Sequence, residues 1–173
     1  MTERVTLAHG DGGEATHRLI AEIFYPALAN PALLQGGDSA VLDPPGAGRL
    51  ALTTDSFVVH PIFFPGGDLG RLAVCGTVND LAVAGARPLW LSAGFIIEEG
   101  FPLADLRRLV GSMAAAAAEA GVQIVAGDTK VVGRGQADGC FINTAGVGLV
   151  PQGRDLGAHR IRTGQAILVS GPV

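Results

Sequence analysis

Three stretches of the chain carry apolar residues at the spacing of an amphipathic helix. They are residues 15–30, residues 68–85 and a segment that begins at Pro102 and ends at Gly121. Proline is tolerated in the first turn of a helix, whereas Pro26 lies deeper and is expected to end or interrupt the first one. The pattern therefore predicts three helices, of which the first is the least regular.

Aspartate and glycine mark the ends of the second predicted helix and one unusual position inside it. Asp68 is suited to the N-cap or the first turn, and Gly85 is a typical C-terminal stop signal. Gly76 lowers the helix propensity of the interior. We therefore expect it to permit the close approach of a strand or a ligand.

Short apolar runs bounded by turn residues predict six strands. The runs are residues 39–42, 50–59, 88–98, 122–126, 140–150 and 166–170. The first two are joined by the turn-rich segment 43–46, so residues 38–59 are expected to form a hairpin. Helices between such strands predict an α+β fold, with a mixed, mainly antiparallel sheet and helices on one face.

Composition removes several classes of function. The net charge is −4 and the arginines are scattered, which does not fit a nucleic-acid-binding surface. No apolar run is long enough to span a membrane, and the N-terminus lacks the order of a signal peptide. Cys75 and Cys140 lie far apart in apolar segments, as expected for reduced core residues of a cytoplasmic protein.

Four aspartates stand among glycines, hydroxyl residues and aliphatics in a chain with little charge. They are Asp38, Asp55, Asp80 and Asp128. Burying an ionised carboxylate is costly unless it meets a cation or several hydrogen-bond donors. One explanation is that the first three hold Mg²⁺ with the phosphates of a nucleotide, since Mg²⁺ prefers oxygen ligands. The other is that each one caps a turn, and spacing alone favours this second explanation.

Three further features have both a functional and a structural explanation. Lys130 is suited to offset phosphate charge or to pair with Asp128, and Asn79 to bind a nucleotide or a neighbouring loop. The segment 9–13 is rich in glycine, so its N–H groups suit phosphate, but it lacks the spacing of a Walker loop. Asp11 within it would repel phosphate unless the side chain turns outward or meets Mg²⁺.

Four motifs together are more specific than any one of them. Residues 53–59 (TTDSFVV), 64–68 (FPGGD), 76–82 (GTVNDLA) and 127–132 (GDTKVV) closely resemble the HypE family of hydrogenase maturation proteins. The resemblance covers nearly the whole chain. This family lies in a wider superfamily with aminoimidazole ribonucleotide synthetase, selenophosphate synthetase and thiamine-monophosphate kinase.

The resemblance implies a PurM-like N-terminal domain over residues 1–165, whose strands join those of a second subunit in a shared β-barrel. It implies that Mg²⁺ and ATP bind near this interface of a homodimer. At the matching positions, the implied metal ligands are Asp38, Asp55 and Asp80. The implied nucleotide-binding residues are these three with Thr77, Asn79, Gly127, Asp128 and Lys130, and Lys130 is also implied to stabilise charge during catalysis.

The activity implied by the resemblance is that of an ATP-dependent carbamoyl dehydratase. Such an enzyme dehydrates a thiocarboxamide on its own C-terminal cysteine to a thiocyanate, which supplies cyanide ligands for nickel–iron hydrogenase. The implied partners are the carbamoyltransferase HypF and the HypC–HypD scaffold complex. Full members continue into a second domain with a cysteine-bearing tail, so residues 166–173 are expected to be the start of a domain that this chain lacks.

Two other functions stay open at this point. A selenophosphate synthetase would need a reactive cysteine or selenocysteine and a lysine in the N-terminal loop, and residues 1–14 contain neither. A non-catalytic module for dimerisation and docking would tolerate neutralised aspartates, with the loss of nucleotide binding alone.

Overall fold

A computed structural model describes residues 4–37, 39–43, 45–169 and 171. Its helices are α1 (Glu14–Leu19), α2 (Tyr25–Leu28), α3 (Leu69–Val83) and α4 (Leu103–Ala120). Its strands are β1 (Arg49–Phe57), β2 (Phe63–Phe64), β3 (Gly67–Asp68), β4 (Arg87–Glu98), β5 (Gln123–Val132) and β6 (Cys140–Val150). A π-helical turn, Ile20–Phe24, joins α1 to α2, and short 3-10 turns cover Leu7–Gly10, Leu33–Gln35 and Ala158–Arg160.

Four long strands form one sheet in the order β1-β6-β4-β5, while β2 and β3 form a separate short pair. Strand β6 is antiparallel to both β1 and β4, whereas β4 and β5 are parallel. The parallel pair follows from its connection, because α4 carries the chain from the end of β4 back to the start of β5. The prediction of an α+β fold with a mixed, mainly antiparallel sheet is confirmed.

Buried and exposed side chains alternate along the strands, so one face of the sheet is covered and the other is not. On β4, Leu91, Phe95 and Ile97 are buried, whereas the alternate residues Trp90 and Ile96 are partly or largely exposed. The helices pack on the first set and add fully buried side chains, among them Leu69, Leu106, Leu109 and Met113. The helices therefore lie on one face of the sheet, and we call the other side the open face.

The predicted signals at helix ends are confirmed, with one refinement. The Asp68 carboxylate accepts a hydrogen bond from the N–H of Arg71 at 2.9 Å and caps α3. Gly85 after α3 and Gly121 after α4 have φ angles of 76° and 67°, which favour glycine. Pro26 lies in the first turn of α2, directly after the π-helical turn, so the helix changes type there rather than ending.

Two glycines allow α3 to lie very close to the sheet. A Cβ atom at Gly76 would be 2.7 Å from the ring of Phe57. A Cβ atom at Gly146 would be 2.8 Å from the methyl group of Thr77. Both separations are shorter than van der Waals contact, so the close approach expected at Gly76 is confirmed and is repeated on β6.

Two predicted strands are wrong. Residues 39–42 are irregular, and β1 pairs with β6 instead, so the hairpin predicted over residues 38–59 is not seen among the described residues of that segment. Residues 166–169 are irregular as well, and among the described residues neither run pairs with a strand edge. The strand predicted over residues 122–126 exists but continues to Val132, since it stays paired with β4.

Both cysteines carry free thiols, and their surroundings differ. Cys140 is buried, and burial raises the pKa of its thiol to about 12, so it stays protonated at neutral pH. Cys75 is half-buried on α3. In the part of the chain that is described, no helix has both the length and the apolar character needed to cross a membrane.

Asn30 joins the first helical segment to the sheet through four hydrogen bonds. Its amide nitrogen donates to the carbonyls of Leu28 at 3.1 Å and Ile124 at 2.8 Å. Its carbonyl oxygen accepts from the N–H groups of Ala32 at 3.2 Å and Leu33 at 3.0 Å. Because the residue is buried, these bonds fix the end of α2 against β5.

We expect Asn30→Ala to lower the free energy of unfolding by about 2–4 kcal/mol, because buried backbone groups lose their hydrogen-bond partners. Urea unfolding followed by circular dichroism measures the change. Asn79→Ala is the matched control, since Asn79 is exposed on α3 and its substitution is expected to cost less than about 0.5 kcal/mol. Equal unfolding midpoints for the two variants would contradict the structural role of Asn30.

Candidate functional site

Two of the predicted acidic residues face each other across the space between β1 and α3. Asp55 lies on β1, and a Cβ atom at Gly76 of α3 would be 3.7 Å from its carboxylate oxygen. Asp80 lies one helical turn after Gly76 and accepts a hydrogen bond from the hydroxyl of Thr53 at 3.0 Å. We call the surface formed by Thr53, Asp55, Gly76 and Asp80 the carboxylate groove.

The two carboxylates of the groove are exposed and keep free acceptor positions. One oxygen of Asp55 accepts from the N–H of Ser56 at 2.8 Å, and Thr53 is the one donor to Asp80 in the described part of the chain. Within the described residues, neither carboxylate has a lysine, arginine or histidine partner within 4.0 Å. The groove is therefore an uncompensated negative site on the surface of the domain.

The chemistry of this donor set fits Mg²⁺. Two carboxylates on rigid elements supply hard oxygen ligands, and phosphates and waters complete the octahedral shell that Mg²⁺ prefers. The described residues contain no group of three His, Cys, Asp or Glu side chains that could hold a metal by themselves. A cation at the groove would thus need ligands from a bound anion or from elsewhere in the protein.

A cavity of about 470 Å³ opens on the other edge of the sheet. Its walls come from the loop around Gly10, Asp11 and Gly12, from the first helical segment, and from β5. Apolar and aromatic side chains form its interior, and polar groups of β5 form its rim. The lining includes Thr16, Phe24, Tyr25, Phe95, Gly127, Asp128, Thr129 and Lys130, and we call this cavity the glycine-loop pocket.

Internal hydrogen bonds hold the glycine loop in place. The hydroxyl of Thr16 accepts from the N–H of Gly12 at 3.0 Å and donates to the carbonyl of Ala8 at 3.3 Å. The carboxylate of Asp11 accepts from the N–H of Gly13 at 2.8 Å. Two of the amides suited to phosphate are therefore already engaged, and Asp11 is turned onto its own loop.

The motif Gly127-Asp128-Thr129-Lys130 lies inside β5 rather than in the loop after it. Because side chains alternate along a strand, Asp128 and Lys130 share one face, and Thr129 lies on the other. Thr129 is opposite the buried Phe95 of β4 and so faces the glycine-loop pocket. Lys130 is opposite the exposed Ile96, so the two charged side chains lie on the open face at the edge of that pocket. Lys130 makes no ion pair among the described residues, so its ammonium group is available to an anion at the edge of β5.

The carboxylate groove and the glycine-loop pocket lie on opposite edges of the sheet. In the strand pairing, Asp55 is opposite Thr144, Thr144 is opposite Ala93, and Ala93 is opposite Gly127. The two sites are therefore at the same level along the strands but three strand spacings apart, about 14 Å. A single chain does not bring Asp55 and Asp80 together with Asp128 and Lys130.

The remaining predicted site residues have mixed placements. Asp38 lies outside the described residues, although its neighbours Gly37 and Ser39 line the glycine-loop pocket. Asn79 is exposed beside Asp80. Thr77 is fully buried and hydrogen-bonded to Thr144, which does not fit the prediction that it contacts a nucleotide.

Thr53 lines the carboxylate groove, although the sequence motifs do not predict a role for it. It lies two positions before Asp55, and residues two apart on a strand share one face. That spacing was a usable signal, because a hydroxyl on the face of a predicted ligand is placed to bind the same groove. Thr16 and Tyr25 of the pocket gave no comparable signal, since a single hydroxyl in a helix is common.

The chain is similar to known proteins over nearly its whole length. Residues 36–150 match the family model described as AIR synthase related protein, N-terminal domain. The carbamoyl dehydratase HypE of Rhodobacter capsulatus is 58% identical over 171 residues, which are 98% of this chain and 50% of that protein. The Escherichia coli carbamoyl dehydratase HypE is 52% identical, over 96% of this chain and 51% of that protein. The chain thus spans about half the length of the curated relatives it matches.

Solved structures show the same similarity. A crystal structure of the hydrogenase maturation protein HypE in complex with ATP is 55% identical, with a TM-score of 0.82 over 84% of this chain and 43% of that chain. A HypE–HypF complex matches with 57% identity and a TM-score of 0.62, over 79% of this chain and 44% of that one. A thiamine-monophosphate kinase from Stenotrophomonas maltophilia shares the fold, at 19% identity and a TM-score of 0.56, over 90% of this chain and 46% of that chain.

The family model covers most of the four-stranded sheet and both long helices, including the carboxylate groove. The motifs that form the groove and the pocket edge are those on which the resemblance to HypE rests. The chain therefore belongs to the family of AIR synthase related proteins, of which it carries the N-terminal domain.

Proposed function

We propose that this chain is the ATP-binding and dimerising part of a HypE-type carbamoyl dehydratase. The observation that carries the proposal is that the two outer strands carry complementary sites, an uncompensated carboxylate groove on β1 and, beside the pocket on β5, a lysine without an ion pair among the described residues. These are the two halves that a magnesium–nucleotide site requires. The ATP complex of a similar HypE protein supports the same assignment.

In the proposed reaction, the γ-phosphoryl group of ATP moves to the oxygen of a thiocarboxamide. ADP leaves in this step. Phosphate then departs with the former carbonyl oxygen while the nitrogen gives up its two protons, which leaves a thiocyanate, ADP and phosphate. Mg²⁺, when bound, would offset phosphate charge and favour in-line transfer. The thiocarboxamide-bearing cysteine and the base are not among the roles we give to this chain.

The residues of this chain bind and orient the nucleotide in that reaction. Asp55 and Asp80 hold the cation, with Asp38 proposed as a third ligand from sequence resemblance. The Lys130 ammonium donates to phosphate oxygens and stabilises the charge that develops on them. Gly127 lets the phosphates approach the β5 backbone, Asp128 lies beside them, and Asn79 hydrogen-bonds the nucleotide or a metal-bound water.

The open face of the sheet supports a shared β-barrel in a homodimer. Leu50 and Leu52 on β1 are 64% and 76% exposed, and Trp90 on β4 and Phe141 on β6 are partly exposed on the same face. A second copy placed against this face would bury it. The two sheets would close into a barrel of eight strands, which leaves no free strand edge.

Closure of such a barrel would also unite the two half-sites. If β1 of one protomer pairs with β5 of its partner, Asp55 and Asp80 of one chain come beside Asp128 and Lys130 of the other. A two-fold symmetric dimer then has two equivalent composite sites. This arrangement accounts for the 14 Å separation (about three strand spacings) within one chain.

The proposed partners follow the same resemblance. A solved complex of HypE with HypF is similar to this chain in its HypE part, and we propose HypF as the carbamoyl donor here as well. The HypC–HypD scaffold complex is proposed as the acceptor of cyanide, in the cytoplasm. A docking module without catalysis remains the competing function, and nucleotide titration separates the two.

We expect the chain to bind ATP only when Mg²⁺ is present, and Asp80→Asn to weaken that binding at least about tenfold, because the cation loses a carboxylate ligand. Isothermal titration with and without Mg²⁺ measures the affinity. Asp105→Asn is the matched control, since it removes the same charge from the first turn of α4, far from the groove. An ATP affinity that is unchanged by Asp80→Asn would favour the docking module. So would a folded dimer that binds no ATP.

The composite site has a test of its own. Asp80→Asn and Asp128→Asn chains are each expected to lose binding, but an equimolar mixture that has exchanged protomers should recover roughly a quarter of the wild-type sites. Half of the dimers are then mixed, and one of their two sites carries neither substitution. ATP stoichiometry from titration of the mixture measures the recovery, and no recovery would place both residues in a site built by one chain.

A further inference from the structure

A buried pair of threonine hydroxyls ties α3 to the central part of the sheet. Thr77 on α3 and Thr144 on β6 are both 0% exposed, and their hydroxyl oxygens are hydrogen-bonded to each other. Thr144 donates its proton to the carbonyl of Ala73 at 3.0 Å. A hydroxyl has one proton, so Thr77 must be the donor in the pair.

The two hydrogen bonds form a series in which each hydroxyl donates its single proton. It runs from Thr77 to Thr144 and then to Ala73, which lies one turn before Thr77 on the same helix. A buried hydroxyl without a hydrogen-bond partner is costly. Both hydrogen bonds form only while α3 and β6 keep their present separation. The pair therefore acts as a spacer between α3 and β6.

The spacer adjoins the backbone positions of both carboxylates of the groove. Thr144 is directly opposite Asp55 in the pairing of β6 with β1. Thr77 directly follows Gly76, which faces the Asp55 carboxylate, and comes three residues before Asp80. Each carboxylate is thus one strand pair or one helical turn from the hydroxyl pair.

The side chains packed around the threonine pair prevent α3 from moving closer to the sheet. A Cβ atom at Gly146 would be 2.8 Å from the Thr77 methyl and 3.0 Å from both Leu81 and Leu91. On the other side, Gly76 is already against Phe57. Steric contact thus sets the nearest approach of α3, and the hydroxyl pair resists movement outward.

We infer that Thr77 and Thr144 are positioning residues that fix the distance between the carboxylates of Asp55 and Asp80. The inference rests on the proposed function, in which those carboxylates hold the cation. Side chains behind metal ligands typically change metal affinity by about 10- to 100-fold when they are substituted. A pair that served packing alone would leave the affinity unchanged, since valine has the shape of threonine.

The test measures the affinity of the chain for Mn²⁺ in the presence of ATP, with Mn²⁺ as a paramagnetic probe of the divalent site. Thr144→Val is expected to weaken the affinity about tenfold, and Thr144→Ser, which keeps the hydroxyl, to stay close to wild type. Val110→Ala is the control for stability, because Val110 is fully buried on α4 away from the groove. Thermal midpoints are recorded for every variant.

Two results overturn the inference in distinguishable ways. If Asp80→Asn loses Mn²⁺ affinity and Thr144→Val keeps it, the pair is only structural while the proposed metal site stands. If the wild type and Asp80→Asn bind Mn²⁺ equally, or neither binds it, the proposed site fails and the positioning role fails with it. If Thr144→Val does not fold, the same measurement is made on Thr77→Val. That substitution removes the donor of the hydroxyl pair and keeps the hydrogen bond from Thr144 to the carbonyl of Ala73.

Discussion

The close contact of α3 with β1 and β6 is the constraint on which the candidate site depends. Glycine at positions 76 and 146 removes the two Cβ atoms that would keep the helix away. The helix can then bring Asp80 within reach of Thr53 on the edge strand, while the covered face stays tightly packed. The candidate site and the core packing are thus coupled, because the same helix supplies both a buried apolar face and an exposed carboxylate.

Much of this arrangement could be predicted from the chain alone, because it depends on local signals. The cap at Asp68, the stop at Gly85 and the alternation along β6 are all encoded within a few residues. The pairing of β1 was predicted wrongly because a hairpin is the shorter connection. The structure instead pairs β1 with a strand almost ninety residues later, as in Asp55 opposite Thr144. Nothing local in residues 39–42 reveals that choice.

The functional residues divide along a similar line. Spacing of two on a strand places Thr53 and Asp55 on one face, and spacing of four on a helix places Gly76 and Asp80 on one face. That these two faces meet depends on where β1 lies in the folded sheet. The burial of Thr77 could not be predicted from the sequence pattern, because it depends on the position of β6 in the sheet. The separation of Asp80 from Lys130 depends on strand order, which only the folded sheet defines.

The placement of groove and pocket on the two outer strands has a consequence for the living cell. If each composite site needs two protomers, dilute chains fold without forming a competent site, and the number of sites rises with the square of protein concentration at low expression. A nascent chain would therefore not consume ATP before it has met its partner. Formation of the dimer would then be required for nucleotide binding, so the amount of bound nucleotide would respond steeply to the level at which the gene is expressed.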